Sequence, residues 1–404
     1  MEWTLVELLG IFVLIVVILR LGGKLWHAML ASILGTILLY GIAPARTAAI
    51  LLKSVTMWSN LSVLLILYAI TFLQRLLERR QQLKLAYQDL SRLFGSNRIS
   101  ATVAPIMVGM LPSSAAVIIC GDIVSEAVGE DLSTEEKAFV TSYFRHIPEA
   151  FLPTYSAVII MAELSGVHVG RFVLGMLPVA VLLYALGWIF YVRKIQTGTG
   201  VMRHGSGVEN ALSLVKHLWT LLVTILLIVV LDVDTLAAVA LVTVVAFFAY
   251  GFRAAELPEL AVDAFEPVLI WNSLLILIFK DFLAVTGVVE ALPVFFARFP
   301  IPNYYMFALI FFFGTLICGA NTIVAFCTTM AFATVEGAGT SLMVLLMCAS
   351  YAAMQVTPVH ICLTVVADYF KCSVGGIIRK TLPVIVTFLV FIPFYYQLLR
   401  LLGV

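Results

Sequence analysis

Leu111-Pro112-Ser113-Ser114 and Cys318-Gly319-Ala320-Asn321-Thr322 are the two stretches on which the fold turns. Each is a short polar break between apolar segments, 99 to 111 and 115 to 128 around the first, 303 to 317 and 321 to 335 around the second. A helix needs about 20 apolar residues to cross a bilayer, so each pair of half-length segments reads as a re-entrant hairpin. The two hairpins belong to a duplication. Leu111 lies 205 positions before Leu316, and at the same offset Pro153 and Glu163 fall on Pro358 and Asp368. Upstream the offset is 212, where Ser59-Asn60-Leu61-Ser62-Val63-Leu64-Leu65 matches Trp271-Asn272-Ser273-Leu274-Leu275-Ile276-Leu277, so the first half carries seven extra residues between Glu78 and Arg98. Duplicated apolar segments with matching interruptions are the pattern of a secondary transporter whose site lies at the repeat interface.

Composition places the chain in the membrane. Of its 404 residues 62% are hydrophobic and 12% charged, and the mean hydropathy is +1.09, against about a quarter charged in soluble domains. A net charge of +1 leaves no basic surplus for nucleic acid, so the expected partners are small solutes and lipid. The six cysteines lie in or beside apolar segments, with no disulfide framework and no metal-ligand spacing. The apolar run Leu5 to Leu19 has Glu2 ahead of it and Glu7 near its start rather than a basic stretch, and reads as a retained span rather than a signal peptide.

The fold class expected is an all-α polytopic membrane protein of two inverted-topology repeats, each with five transmembrane spans and one re-entrant hairpin. Repeat one, 1–196, contains scaffold spans 4 to 20, 25 to 42 and 57 to 76, the hairpin 99–128, an interrupted span 137–165 and a span 171–192. A Gly-rich linker, 197–214, leads to repeat two, 215–404, with scaffold spans 216 to 231, 235 to 252 and 268 to 289, the hairpin 303–335, an interrupted span 341–370 and a span 375–399. Lys and Arg collect on one side, including Arg75, Arg79, Arg80, Arg193, Lys194, Lys371, Arg379 and Lys380. That side is the expected cytoplasmic face, which puts both termini outside.

The candidate site residues sit at the four breaks. Backbone interrupted at membrane depth survives where it lines a cavity or binds something, and half-helix N-termini favour anions while freed carbonyls suit cations. Ser113 and Ser114 at the first hairpin tip, with Asn321 and Thr322 at the second, can serve either, including a Na+ ion. The interrupted spans break at Arg145-His146-Ile147-Pro148-Glu149, Pro153-Thr154 and Thr357-Pro358-Val359-His360, because proline removes a donor and frees a carbonyl. Arg145 can neutralise a substrate carboxylate. His146, Glu149 and His360 can carry a coupling proton. The alternatives are a structural Arg145–Glu149 ion pair, four residues apart, and a His360 that makes a buried hydrogen bond. Asp122 could ligate a cation, although its image at 205 positions is Cys327. Lys280 and Asp281 read as structural partners of other elements, Glu163 and Asp368 as interfacial, and the glycines of Gly314-Thr315-Leu316-Ile317-Cys318-Gly319 as helix-packing positions. No metalloprotease, P-loop or nucleophile-elbow motif is present, and no cofactor is expected beyond Na+ or H+ as a coupling ion.

Phe144-Arg145-His146-Ile147-Pro148-Glu149 with Leu152-Pro153, and Thr357-Pro358-Val359-His360-Ile361-Cys362-Leu363 with Asp368-Tyr369-Phe370-Lys371, resemble the paired signatures of an uncharacterised ten-span membrane family of the ion transporter superfamily. Gluconate permeases and C4-dicarboxylate and citrate carriers are its relatives. The resemblance covers nearly the whole chain. It implies a scaffold part and a mobile part in each repeat, elevator-type alternating access, and a homodimer through the scaffold spans. Its polar hairpin tips fall on Ser113, Ser114, Asn321 and Thr322, and its broken-helix loops on Pro148 to Thr154 and Thr357 to His360. The first tip departs from the Gly-rich pattern of close relatives, which withholds their substrates. The function expected is secondary transport of a small, carboxylate-like anion coupled to H+ or Na+, in the cell membrane. A cation/proton antiporter is the alternative, and an intramembrane enzyme or lipid-handling protein ranks lower.

Overall fold

The computed structural model describes residues 2–82, 84–86, 88–89, 96–110, 116–196, 207–296, 298–357 and 360–404, and among them every regular element is helical. The first half runs α1 (Glu2–Arg20), α2 (Leu25–Leu39), α3 (Pro44–Thr56), α4 (Trp58–Arg79), α5 (Asn97–Val108), α6 (Ala116–Val128), α7 (Thr134–His146), α8 (Ser156–Ser165) and α9 (Val169–Phe190). The second runs α10 (Gly207–Val229), α11 (Thr235–Ala249), α12 (Leu257–Ala264), α13 (Pro267–Leu283), α14 (Val288–Phe296), α15 (Asn303–Cys318), α16 (Ala320–Thr334), α17 (Thr340–Met354), α18 (Ile361–Phe370) and α19 (Val374–Leu401). The order of the first half recurs in the second, and the helical residues at 82, 84–86 and 88–89 stand where α14 stands later.

Three of these helices were not expected from hydropathy. α3 starts on Pro44 and α12 has Pro258 as its second residue, and both mix charged with apolar residues, so neither shows a 20-residue apolar run. The span expected at 268 to 289 ends at Leu283, and a turn with Gly287 at φ +74° leads into α14. The segment expected to link the repeats is helical from Gly207 onward. α4, α9, α10 and α19 are each long and apolar enough to cross a bilayer, and the segments Ala254–Ala264 and Pro267–Leu283 qualify together, bent by 56°. Seven further apolar helices among the described residues are shorter, at 10–17 residues, and include α8, α15, α16, α17 and α18.

Local chemistry sets where helices begin and end. Ser133 and Glu136 form a reciprocal capping box at the start of α7, and Asp234 and Ser373 cap α11 and α19 through Ala237 N and Gly376 N. α8 ends at Gly166 and α18 at Lys371, both left-handed, at φ +69° and +54°. These two positions are 205 residues apart, the offset that also relates Pro153 to Pro358.

Helix packing exchanges partners between the halves. α2 packs on α13 and α11 on α4, so the second long helix of each half lies against the third of the other. The amphipathic helices follow the same rule, α3 on α13 and α12 on α4. The latter contact carries ion pairs from Arg75 to Glu266 at 2.7 Å, from Arg79 to Glu259 at 2.7 Å and from Arg80 to Glu256 at 3.2 Å. Each hairpin packs on its own half's interrupted span, α5 on α7 and α15 on α17, and on the other half's second segment, α6 on α18 and α16 on α8. The ends of α7, α15 and α17 and the starts of α8, α16 and α18 are thereby drawn toward one region. Outward faces stay apolar, with Phe248 of α11 and Phe394 of α19 each 72% exposed, as contact with lipid tails requires.

Lys280 and Asp281 do pair with other elements. Asp281 Oδ2 accepts from Ser54 Oγ at 2.6 Å and Asn60 Nδ2 at 3.1 Å, while Lys280 Nζ donates to Asn60 Oδ1 at 3.2 Å. Glu163 joins this cluster, 3.8 Å from Lys280 Nζ. Gly314 faces Ile323 across the second hairpin, and Gly319 makes its turn at φ +84°, a conformation that a Cβ would strain.

Candidate functional site

α7 and α8 are separated where the sequence dictates. After His146 the chain passes into a short 3-10 turn, Pro148–Ala150, and resumes as α8 at Ser156, since Pro148 and Pro153 cannot donate to a continuing helix. The freed loop is tied to the first hairpin arm. Tyr155 Oη donates to the Gly109 carbonyl at 2.6 Å, and Thr154 Oγ1 to the Met110 carbonyl at 3.0 Å. In the second half Thr357 Oγ1 donates to the Leu316 carbonyl, also at 3.0 Å. Each broken span thus satisfies orphan carbonyls at its own hairpin's end.

Between these parts lies a cavity of about 370 Å3. Three helix N-termini reach it: α8 with Ser156 and Ala157, α16 with Ala320 and Asn321, and the start of α18 with Cys362. None of the three has a side-chain cap, so their leading N–H groups are open to a ligand, and their dipoles favour negative charge. Arg145 contributes a buried guanidinium to the wall, faced by Glu149. Thr315 and Ser350, joined through their hydroxyls at 2.9 Å, add a neutral polar strip. The cavity combines apolar walls such as Met347 and Met354 with a few convergent polar groups, the make-up of a small-molecule site.

Behind the cavity wall the two halves meet through imidazoles. His146 Nδ1 bonds the Ser142 carbonyl one turn back, and its Nε2 lies 3.0 Å from His360 Nε2. A ring that donates through Nδ1 presents a lone pair at Nε2, so that atom accepts from His360 or from Arg145 Nη1, 3.3 Å away. Arg145 Nη1 also lies 3.6 Å from Cys362 Sγ, and Glu149 Oε2 lies 3.7 Å from His146 Nε2.

Of the residues singled out in the sequence, Arg145, Glu149, Asn321, Thr357 and His360 line this cavity, with His146 packed against His360. Pro153 and Thr154 instead line a separate hollow of about 20 Å3, with Gln74 and Met110. Thr322 is buried, and its hydroxyl is engaged by the Cys318 carbonyl. Asp122 sits on α6 away from the cavity and accepts a hydrogen bond from Tyr369. Ser113, Ser114 and Pro358 lie outside the described residues. Tyr155, Thr315, Ser350 and Cys362 line the cavity without having been anticipated. Cys362 could have been found from its place two residues after His360, whereas Thr315 and Ser350 required knowledge of which helix faces meet.

The chain matches the family described as "Protein of unknown function (DUF401)" over residues 4–398 and belongs to it. No curated protein matches the chain. Among solved structures it is similar to the YdaH transporter of Alcanivorax borkumensis, whose crystal structure is said to reveal an unusual topology. The TM-score is 0.51 at 12% identity, over 89% of this chain and 90% of that one. At that identity the likeness is one of fold.

Proposed function

We propose that this DUF401 member is a secondary active transporter of a small organic anion, coupled to H+ or Na+, in the cell membrane. The observation that carries the reading is the convergence of Arg145 with the uncapped N-termini of α8, α16 and α18 on one cavity. Four sources of positive potential on about 370 Å3 suit a carboxylate better than a cation. The anion sits between Arg145, Asn321 and Thr357, and protons or Na+ are carried by the His146, Glu149 and His360 group or by the hairpin tips, including Ser113, Ser114 and Thr322. A fold like that of the YdaH transporter supports transport over catalysis.

In this reading the halves 1–196 and 215–404 are inverted repeats of five spans and one hairpin each. The partner-exchanging helices α2, α4, α11 and α13 form the scaffold, through which two copies dimerise. The hairpins and broken spans, which pack on one another across the halves, move as an elevator. Both termini face outward.

Thermal unfolding of the purified chain against mono-, di- and tricarboxylates, with Na+ or K+ and at two pH values, tests the proposal, because a ligand of the folded state raises its apparent stability. One anion is expected to raise the melting temperature in an ion-dependent way. The rise is lost in Asn321→Ala and weakened in Arg145→Lys, and uptake of that anion into proteoliposomes stops when the gradient is dissipated. Stabilisation by cations or pH with every carboxylate silent would overturn the anion reading and leave cation/proton exchange.

A further inference from the structure

The cavity wall carries a second kind of chemistry that an anion does not use. Among the described residues, His146, His360 and Cys362 form a group whose ligand atoms all lie within 4.8 Å of one another. They come from the end of α7 and the start of α18, elements of opposite halves that pack directly. We propose that His146 Nε2, His360 Nε2 and Cys362 Sγ form a three-ligand site for a soft divalent metal such as Zn2+, with Glu149 as the nearest fourth donor.

Three features support the assignment. The donor set is two imidazoles and a thiol, which select Zn2+ and its neighbours over Na+, Mg2+ or Ca2+. The geometry is close to what coordination needs: the two Nε2 atoms stand 3.0 Å apart, where bonds of about 2.0–2.1 Å at tetrahedral angles require roughly 3.3 Å. The tautomer is already fixed, because His146 gives its Nδ1 to the Ser142 carbonyl, the outer-shell contact that metal-bound histidines characteristically make. Glu149 Oε2, 3.7 Å from His146 Nε2, can complete the shell and balance the charge.

Arg145 is the competitor. Its Nη1 lies 3.3 Å from His146 Nε2 and 3.6 Å from Cys362 Sγ, so a cationic donor already stands where two of the three lone pairs point. A metal takes that place when the guanidinium turns into the cavity and the thiol proton is released. Metal binding then ties the two broken spans together. This assignment does not depend on the transport reading.

The test uses the full chain in detergent, stripped by chelator and titrated with Co2+, whose thiolate charge-transfer and tetrahedral absorption bands report the ligand set. One Co2+ per chain with both bands, displaced by Zn2+, is expected. Cys362→Ser loses the charge-transfer band and His360→Ala weakens binding at least tenfold. Both residues are only partly buried, and melting of the metal-free variants close to the parent shows that they fold. Absence of the bands in the parent, or Co2+ binding that is unchanged in both variants and so belongs to other histidines, would overturn the proposal.

Discussion

Gly109, at the end of α5, lies directly against the backbone of Arg145 in α7: a Cβ at Gly109 would come 1.9 Å from the Arg145 carbonyl oxygen. The obstacle is main chain, so no rotamer change relieves it. The first hairpin arm therefore seats on the helix that carries the cavity's guanidinium only because residue 109 has no side chain.

Gly109→Ala should destabilise the protein by about 1–3 kcal/mol or more, the range for overpacking a tight contact, and should weaken anion binding by shifting Arg145. Gly129→Ala is the control. Its φ is +53° but nothing lies within 4 Å, so it bears only the left-handed cost of roughly 1–2 kcal/mol. Melting temperatures that rank the two in the opposite order would contradict the close contact.

Asn60 is fully buried and holds three partners: it donates to the Ser54 carbonyl at 2.9 Å and to Asp281, and accepts from Lys280. Asn60→Ala leaves these partners short of bonds and should cost about 2–4 kcal/mol. Glu163→Gln touches only a partly exposed pair at 3.8 Å, worth at most about 1 kcal/mol. Unfolding measurements on both variants check this ordering.

Thr154 and Thr357 make equivalent bonds to the Met110 and Leu316 carbonyls, both at 3.0 Å. Replacing either by Val should lower stability by about 1 kcal/mol. Only Thr357 lines the large cavity, so Thr357→Val should also reduce anion-induced stabilisation while Thr154→Val leaves it intact. Equal effects of the two on binding would move the site.

Cys372 lies between α18 and α19, beside Lys371 on the face proposed as cytoplasmic. Burial, reinforced by the Glu135 carboxylate, pushes its thiol above the usual range. The thiolate is the reactive form, so maleimide labelling of a variant retaining Cys372 alone should be slow at pH 7 and faster at pH 9. Labelling should also require access from the cytoplasmic side, and modification by an impermeant reagent from outside would invert the topology.

Much of the architecture was legible from residue order. Helices end and resume around Pro148, Pro153 and the run after Met354, and α15 gives way to α16 at Gly319. Proline and left-handed glycine act locally, and their effects can be read without knowing their neighbours. α3, α12 and α14 escaped because short amphipathic helices are recognised by the face they bury, and that face is supplied by the opposite half. Half of the described site candidates reached the cavity for a similar reason. Arg145 and Thr357 point into it, whereas Asp122, on an apolar arm of the same character, turns away toward Tyr369.

The sequence by itself determined that the chain is helical, apolar and interrupted at its prolines and at Gly319, because a backbone without water must bond to itself and a break in that bonding is written in single residues. Only the tertiary structure decided which polar groups meet. His146 lies more than 200 residues before His360 and Cys362, and it meets them because α7 packs on α18. Asn60, Lys280 and Asp281 join because helices of each half pack against those of the other. Such meetings depend on helix rotation and interlocking side chains, which are properties of the packed pair and of neither helix alone.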